Sequence, residues 1–285
     1  MPELPEVETT MRGIAPHMHN QTVAKILVRD SRLRWPIPPE ISLAEGQRVT
    51  GLRRRGKYIL IDLQQGSLII HLGMSGSMRV LLEPRPAGKH DHFDILMESG
   101  VMESGAMESG EVANGVCVRF NDPRRFGAFL WAASGAENHK LLAQLGPEPL
   151  SDSFTAEYLY QRSRGRKVAV KNFIMNGHVV VGVGNIYASE ALFMAGIHPT
   201  RAAGRVSEIR YQGLVEAIVD VLRRAIERGG TTLRDFVNSE GSPGYFAQEL
   251  LVYDRAGRDC FQCGGAVRQK VIGQRSSYFC PACQR

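Results

Sequence analysis

The chain begins with MPELPEVE (residues 1–8), and the remaining sequence is best explained as a scaffold for these residues. The small residue at position 2 favours removal of Met1, which would leave Pro2 with a free secondary amine. Such an amine can attack an electrophilic carbon and form an imine, as catalytic lysines do. Because an unperturbed α-amino group titrates at about 7.7–8.0, part of it is neutral near pH 7. Glu3 follows directly and could transfer a proton at the same centre.

The sequence after Glu3 predicts a helix with one apolar face. Proline suits a first turn, acidic residues favour a helix N-terminus, and apolar residues recur at i, i+4 and i+7. The alternative is that this stretch is only a well-capped helix start, because short motifs often occur without the associated chemistry. The residues concerned are Pro5, Glu6 and Glu8 in the first turns and Val7, Met11 and Ile14 on the apolar face.

Composition narrows the class of protein. With 285 residues the chain should form two or three domains, and a net charge of +6 favours a polyanionic partner, nucleic acid first. The sequence shows no long apolar run and no charged-then-apolar leader. We therefore expect a soluble, cytoplasmic protein with no membrane partner.

The first half of the sequence predicts strands separated by short loops. Lys57 is expected to begin a strand on the same face as Ile59 and Ile61, where partial desolvation would depress its pKa and suit it to proton transfer. The alternative is a lysine that extends its ammonium group into water from a strand end. The predicted strands cover residues 22–28, 57–63, 68–72, 93–97 and 116–120.

Two loops in this half have features of a nucleic-acid contact. GMSGSM (73–78) carries Met74, which is either an ordinary core residue or a wedge between bases. NDPRRFG (121–127) supplies Arg124 and Phe126, a charge and a stacking surface. This combination suits a site where a base has left the duplex stack.

Two neighbouring histidines raise the question of a metal site. We expect His90 and His92 to face opposite sides of one strand, which would prevent them from sharing a metal ion. Hydrogen bonding to a phosphate is the better hypothesis for His90.

A five-residue repeat interrupts this half of the chain. MESG occurs at 97–100, 102–105 and 107–110, with Gly, Ser and an acidic residue in each copy. Low-complexity sequence of this kind predicts the tip of a hairpin. We assign it no chemistry.

The second half of the sequence predicts helices. VVVGVGNIY (179–187) leads into one of them, and a long helix is expected from residue 208 to residue 228. Glycines ahead of a helix N-terminus, with Asn185 beside them, can form a backbone site for a phosphate. Tight packing is the simpler explanation of the same glycines.

The C-terminal segment gives the clearest chemical signal. Cys260-x-x-Cys263 and Cys280-x-x-Cys283 have the spacing of a tetrahedral Zn²⁺ site, and four thiolates would close its coordination shell. The zinc would therefore be structural. The residues between the two pairs predict a hairpin that presents Arg275 near its tip, although a stabilising ribbon with an incidental arginine is the alternative.

Together these stretches resemble the formamidopyrimidine-DNA glycosylases, bacterial repair enzymes that act on 8-oxoguanine and ring-opened purines. The resemblance implies an α+β fold with three parts: an N-terminal β-sandwich flanked by helices (1–131), a helix–two-turn–helix domain (132–240) and a zinc-binding β-hairpin (241–285). Its partner would be double-stranded DNA with a damaged base, held by a monomer in the cleft between the two halves. The motifs are PELPEVE, RGKY, HLGMSGS, KHDH, NDPRRFG, VVVGVGNIYASE, GGTTLRDF, GYFAQEL and the paired CxxC, in this order.

The resemblance also implies roles for individual residues. Pro2 would attack C1′ of the damaged nucleotide and form a Schiff base, Glu3 would assist at the sugar and Lys57 would serve the proton transfers. Successive β- and δ-elimination would then cut the strand, with Arg275 involved in the later elimination. The residues that match DNA contacts are Met74, Arg124 and Phe126 in the space left by the flipped nucleotide, and His90, Asn185 and Arg275 at phosphates, with Arg166 and Lys167 near the backbone.

Two rival functions remain open at the level of sequence. The endonuclease VIII branch removes oxidised pyrimidines, but Leu4 and the complete NDPRRFG stretch favour the purine branch. A non-catalytic DNA-binding protein could have kept the zinc hairpin, but the intact set of Pro2, Glu3 and Lys57 argues against it.

Overall fold

The structure is a computed structural model that describes residues 2–83, 85–98, 115–231 and 249–285. The chain divides into two compact units, Met1–Ala143 with Thr231–Gly244, and Gln144–Gly230 with Tyr245–Arg285. The predicted α+β class is confirmed, because strands dominate the first unit and helices the second. Residues 99–110 of the MESG repeat lie outside the described residues.

The first unit contains two four-stranded antiparallel sheets. One has the strand order β1-β6-β7-β5 and the other β2-β3-β4-β8. Each predicted strand is present, with ends shifted by one or two residues. The bounds are β1 Val23–Val28, β2 Val49–Arg55, β3 Tyr58–Leu63, β4 Ser67–His71, β5 Ser77–Leu81, β6 Asp91–Met97, β7 Cys117–Asn121 and β8 Ala128–Ala132.

The two sheets share one apolar core, as a sandwich requires. Phe93 of β6 stacks on Phe120 in its own sheet at 4.8 Å between ring centroids. The same ring stacks on Phe129 of the other sheet at 4.0 Å. All three side chains are fully buried, and alternate residues of each strand therefore point into a common interior.

Helix α1, Leu4–Met18, closes one side of this core. Its buried face includes Val7, Ile14 and Met18, and Met11 packs against the same cluster while partly exposed. The predicted apolar stripe is therefore confirmed. The helix contacts β2, β3 and β5.

The second unit is built on four helices and a hairpin. Helix α4 is buried on nearly every side, whereas α5 has one buried face, so α4 forms the centre of the helical part. The predicted long helix is confirmed to within one residue. The bounds are α2 Ala156–Ser163, α3 Val170–Ile174, α4 Asn185–Met194 and α5 Glu208–Glu227.

Strands β9, Arg268–Ile272, and β10, Arg275–Phe279, form the predicted C-terminal hairpin. Its two-residue turn places Gly273 and Gln274 at positive φ, +56° and +62°. A Cβ on Gly273 would lie 2.2 Å from the Asn172 amide nitrogen, so a residue with a side chain would have to displace the Asn172 side chain as well as adopt the positive φ. Among the described helices, none is long and apolar enough to cross a bilayer.

Candidate functional site

One end of the sandwich carries two loops that sequence analysis assigned to nucleic-acid contact. The Met74 loop, residues 72–76, connects β4 to β5 and crosses from one sheet to the other. The Arg124 loop, residues 122–127, connects β7 to β8 and crosses back. Because β4 pairs with β8 and β5 with β7, the two loops lie side by side.

Lys57 and His90 lie at the same end. Lys57 is in the turn between β2 and β3, and the first residue of β3 pairs with the last residue of β4. His90 immediately precedes β6, whose first residue pairs with the last residue of β7. The sandwich therefore gathers these two side chains and both loops at one end.

Strand β3 starts one residue later than predicted, so that Lys57 lies in the turn before it and not in the strand. Gly56 adopts a φ of +59°, which reverses the chain, so that β3 starts only at Tyr58. Lys57 is half-buried in this tight turn. Its place at this end of the sandwich is fixed by the β2–β3 hairpin.

The expectation for the two histidines was also wrong in its geometry. Residues two apart in a regular strand share a face, but His90 lies in the turn before β6 and the pairing with β7 is irregular between Asp91 and Phe93. His92 is 1% exposed, and its Nε2 donates to the carbonyl of Asp122 at 2.8 Å. His92 is therefore a core residue, and His90 is half-buried outside the strand.

The N-terminus is held in place by buried carboxylates. Pro2 and Glu3 are buried, and Glu3 is the N-cap of α1. The Glu3 N–H donates to Glu6 Oε2 at 2.8 Å, and the Thr231 N–H donates to Glu6 Oε1 at 2.8 Å. One carboxylate thus fixes the backbone immediately after Pro2.

An ion pair links this helix to the hairpin that carries Lys57. The guanidinium of Arg54 in β2 donates to Glu8 Oε2 at 2.8 Å, and both side chains are largely buried. Glu8 lies just over one turn from the start of α1. The first turns of α1 and the Lys57 turn are therefore held on the same side of the sandwich.

His71 is a member of this site that sequence analysis missed. Its Nδ1 accepts the Gly73 N–H at 2.9 Å, so the neutral ring carries its hydrogen on Nε2. Burial, together with the positive charges of Lys57 and Arg34, lowers the pKa of His71 to about 4. The local excess of positive charge suits an anion. The signal available in the sequence was its position as the first residue of HLGMSGS, where β4 ends and the Met74 loop begins.

The two loops present an apolar and cationic surface. Phe126 is 44% exposed, which is unusual for a phenylalanine, and the guanidinium of Arg124 lies 5.0 Å from its ring centroid. Met74 is half-buried on the adjacent loop. Arg124 and Phe126 thus contact each other and Met74 lies on the neighbouring loop, and the joint action of the three side chains stays a prediction.

In the second unit, a buried lysine connects α3, α4 and the hairpin. Lys171 is fully buried and donates to Asn185 Oδ1 at 2.7 Å and to Ser277 Oγ at 2.6 Å. The amide of Asn185 in turn donates to the carbonyl of Ser276 at 2.9 Å. Asn185 thus lies beside the strand that carries the exposed Arg275. No local pattern in the sequence marks this role of Lys171. Arg166, predicted to lie near the DNA backbone, is exposed.

Comparison with known proteins identifies the family. Residues 1–129 match the formamidopyrimidine-DNA glycosylase N-terminal domain, and residues 145–237 match the formamidopyrimidine-DNA glycosylase H2TH domain. The chain belongs to the formamidopyrimidine-DNA glycosylase family. Formamidopyrimidine-DNA glycosylases of Alcanivorax borkumensis and Methylococcus capsulatus are 56% and 53% identical to it over the full length of both chains.

Solved structures of the family share this fold. The MutM (Fpg) protein of Thermus thermophilus is 37% identical with a TM-score of 0.84, covering 99% of this chain and 98% of that one. A Lactococcus lactis Fpg mutant in complex with a Fapy-dG containing DNA is 28% identical with a TM-score of 0.85, covering both chains completely. The N-terminal β-sandwich and helix–two-turn–helix parts of the predicted fold are confirmed.

As a member of the formamidopyrimidine-DNA glycosylase family, this chain also carries a four-cysteine cluster beyond both matched domains. The cysteine sulfurs all lie within 4.8 Å of one another, with 3.9 Å between Cys260 and Cys283 and 3.5 Å between Cys263 and Cys280. Tetrahedral Zn–S bonds of 2.3 Å would separate the sulfurs by about 3.8 Å. The four thiols therefore fit a metal ion of this size.

Proposed function

We propose that this protein is a bifunctional DNA glycosylase and abasic-site lyase that removes oxidised purines, namely 8-oxoguanine and formamidopyrimidines. The observation that carries the proposal is the buried Pro2–Glu3 pair at the start of α1, whose backbone Glu6 fixes. The proposal requires that Met1 be removed, so that the Pro2 nitrogen is a free amine. The relatives' names and the DNA complex of the Lactococcus lactis protein support it.

The proposed chemistry uses Pro2 as the nucleophile. Its lone pair forms a bond to C1′ while the bond from C1′ to the base breaks, and the base leaves with that electron pair and takes up a proton. The nitrogen, positively charged after the attack, then loses its proton. Its lone pair forms a double bond to C1′ while the bond from C1′ to the ring oxygen breaks and that oxygen gains a proton with help from Glu3, which leaves a positively charged imine, an iminium ion.

The imine explains strand cleavage. Its positive nitrogen acidifies the C2′ proton, whose removal expels the 3′ phosphate, and a second elimination expels the 5′ phosphate. We assign the proton transfers to Lys57 and a part in the later elimination to Arg275. A positioned acid–base group of this kind typically contributes 10²–10⁴-fold in rate.

DNA contacts are proposed for each unit separately. In the first, Met74, Arg124 and Phe126 would fill the space of an extruded nucleotide, and His90 would bind a phosphate. In the second, Asn185, Arg275 and Arg166 would contact the phosphate backbone. His71 joins this proposal as a neutral donor to a phosphate near Lys57.

The cysteine cluster is proposed to hold one structural Zn²⁺. When bound, the ion would close the loops that flank β9 and β10 and take no part in the reaction, because four thiolates leave no open position. We also propose the division into 1–131, 132–240 and 241–285, a monomeric state and a cytoplasmic location.

Borohydride trapping on an abasic duplex tests the proposed nucleophile. We expect the Met1-processed protein to give a covalent protein–DNA adduct, and an N-terminally extended form, whose Pro2 nitrogen is in a peptide bond, to give none. Both forms should bind a duplex with a stable abasic analogue. Intact mass establishes which N-terminus each preparation has. Undiminished trapping by the extended form would place the chemistry elsewhere, and no trapping by either would favour a non-catalytic DNA-binding protein.

Substrate choice needs a second comparison. Parallel assays on 8-oxoguanine and thymine-glycol duplexes should give the faster excision on 8-oxoguanine. A faster rate on thymine glycol would assign the protein to oxidised pyrimidines instead.

A further inference from the structure

The two loops that carry the proposed wedge share one buried carboxylate. Asp122 opens the Arg124 loop and is 0% exposed. Its Oδ1 accepts the hydroxyl of Ser75, in the Met74 loop, at 2.7 Å. Its Oδ2 accepts the Gly127 N–H at 2.8 Å, and Oδ1 also accepts the Arg124 N–H at 3.2 Å.

The backbone of Asp122 reaches a third segment. Its N–H donates to the carbonyl of His90 at 3.0 Å, and its carbonyl accepts from His92 Nε2 at 2.8 Å. Asp122 therefore bonds to residues next to, or identical with, four proposed DNA contacts. None of these bonds uses the Met74 or Phe126 side chains, which leaves both available for a ligand.

The loops also touch backbone to backbone. A Cβ on Gly73, whose φ is +66°, would lie 2.4 Å from the carbonyl carbon of Phe126 and 2.5 Å from the nitrogen of Gly127. No side chain fits at that position. The two loops therefore touch through their backbones, and the hydroxyl of Ser75 adds a hydrogen bond between them.

We propose that Asp122 and Ser75 are positioning residues that hold Met74 in register with Arg124 and Phe126, so that the three side chains enter the duplex as one preformed wedge. The inference rests on the proposed function, because it needs these side chains to occupy the space of a flipped nucleotide. Preorganisation of this kind lowers the cost of ordering side chains on binding. Loss of the Ser75 hydroxyl frees the Met74 loop and should act only through Met74.

A double-mutant cycle tests this coupling. The measured quantity is the Kd for a duplex with a tetrahydrofuran abasic analogue, in wild type, Ser75→Ala, Met74→Ala and the double variant. We expect Met74→Ala to weaken binding by roughly 30-fold and Ser75→Ala by roughly fivefold, magnitudes typical of contact truncation. In the double variant, the Ser75 substitution should cost less than twofold.

The chain supplies a matched control. Ser67 is 3% exposed, and its hydroxyl donates to Asp62 Oδ1 at 2.7 Å, the same distance as in the Ser75–Asp122 pair. Ser67 lies at the opposite end of β4 from the Met74 loop. Ser67→Ala should lower thermal stability, less than Ser75→Ala because Asp62 is partly exposed and paired with Arg53, while leaving the Kd unchanged.

Equal weakening by Ser67→Ala, or multiplication of the two effects in the double variant, would show that Ser75 has a purely structural role and overturn the inference alone. Unchanged binding by Met74→Ala would refute the wedge in the proposed function, and the inference with it. Because Asp122→Asn changes a buried charge and is liable to misfold, Ser75 carries the test.

Discussion

At the scale of single residues, the protonation state of His71 reports on the burial and the positive charges around it in the site. Its pKa of about 4 lies below the ordinary 6.5, because burial and the charges of Lys57 and Arg34 oppose protonation. Between these two pH values the unfolded chain binds the proton and the folded chain does not. Stability is therefore fully present above pH 6.5 and is lost as the pH falls towards 4.

The difference between the two pKa values predicts that the free energy of unfolding falls by about 2 kcal/mol between pH 7 and pH 4.5. This is somewhat less than the full shift implies, because the ring is not wholly enclosed. Urea unfolding at pH 7 and at pH 4.5 should show that loss in wild type, and a loss smaller by about this amount in His71→Gln. If both proteins lose the same stability between the two pH values, the assignment of a neutral, suppressed His71 is wrong.

Residues marked by local spacing could be predicted, and residues that act through distant partners could not. The four cysteines, which the structure brings together, were predicted from the spacing of the two CxxC pairs. The roles of Pro2 and Glu3 stay predictions. Lys171, in contrast, meets a serine 106 positions away, and Asp122 meets one 47 positions earlier. No local pattern encodes such partners, because they depend on how the sheets and helices are brought together.

At the scale of elements, the stability of the C-terminal hairpin after metal removal tests whether the cysteine cluster supports β9 and β10. The cysteine cluster adjoins a small apolar core that includes Phe193, Val252 and Tyr278. A core of this size is insufficient without a metal or another cross-link. Removal of the metal should therefore unfold the hairpin and spare α2 and α5, which contribute no residue to this core, whereas α4 contributes Phe193.

Chelation should then leave the helical far-UV circular dichroism nearly unchanged while DNA affinity falls by roughly tenfold, the value of one lost strong contact. Added Zn²⁺ should restore the affinity. An Arg275→Gln variant provides the control, since chelation should cost it much less. Unaltered affinity after demonstrated metal release would contradict a supporting role for the ion.

The helices and strands could be predicted from local sequence patterns, except at one glycine. Helix α1 and the hairpin were predicted from capping, periodicity and the cysteine pairs. The start of β3 was misplaced because Gly56 takes a left-handed φ, and sequence alone does not distinguish a turn glycine from one that enters a strand.

At the scale of the whole molecule, the net charge of +6 attracts DNA generally, but only particular cations neutralise particular phosphates. Each phosphate contact contributes about 0.9 to the slope of log Kobs against log salt concentration. Arg275→Gln should therefore lower the steepness by about one unit on every duplex sequence. Arg166→Gln, in addition, should lower it by about one more, because the two arginines would bind separate phosphates.

Arg223 supplies the control for general charge, because it is exposed on α5 and has no proposed DNA contact. Arg223→Gln removes the same unit of charge from the molecule and should leave the slope within error of wild type. The same loss of steepness in all three variants would mean that binding responds to total charge alone. A slope unchanged by Arg275→Gln, measured from 50 to 200 mM salt, would remove Arg275 from the phosphate contacts whatever its effect on rate.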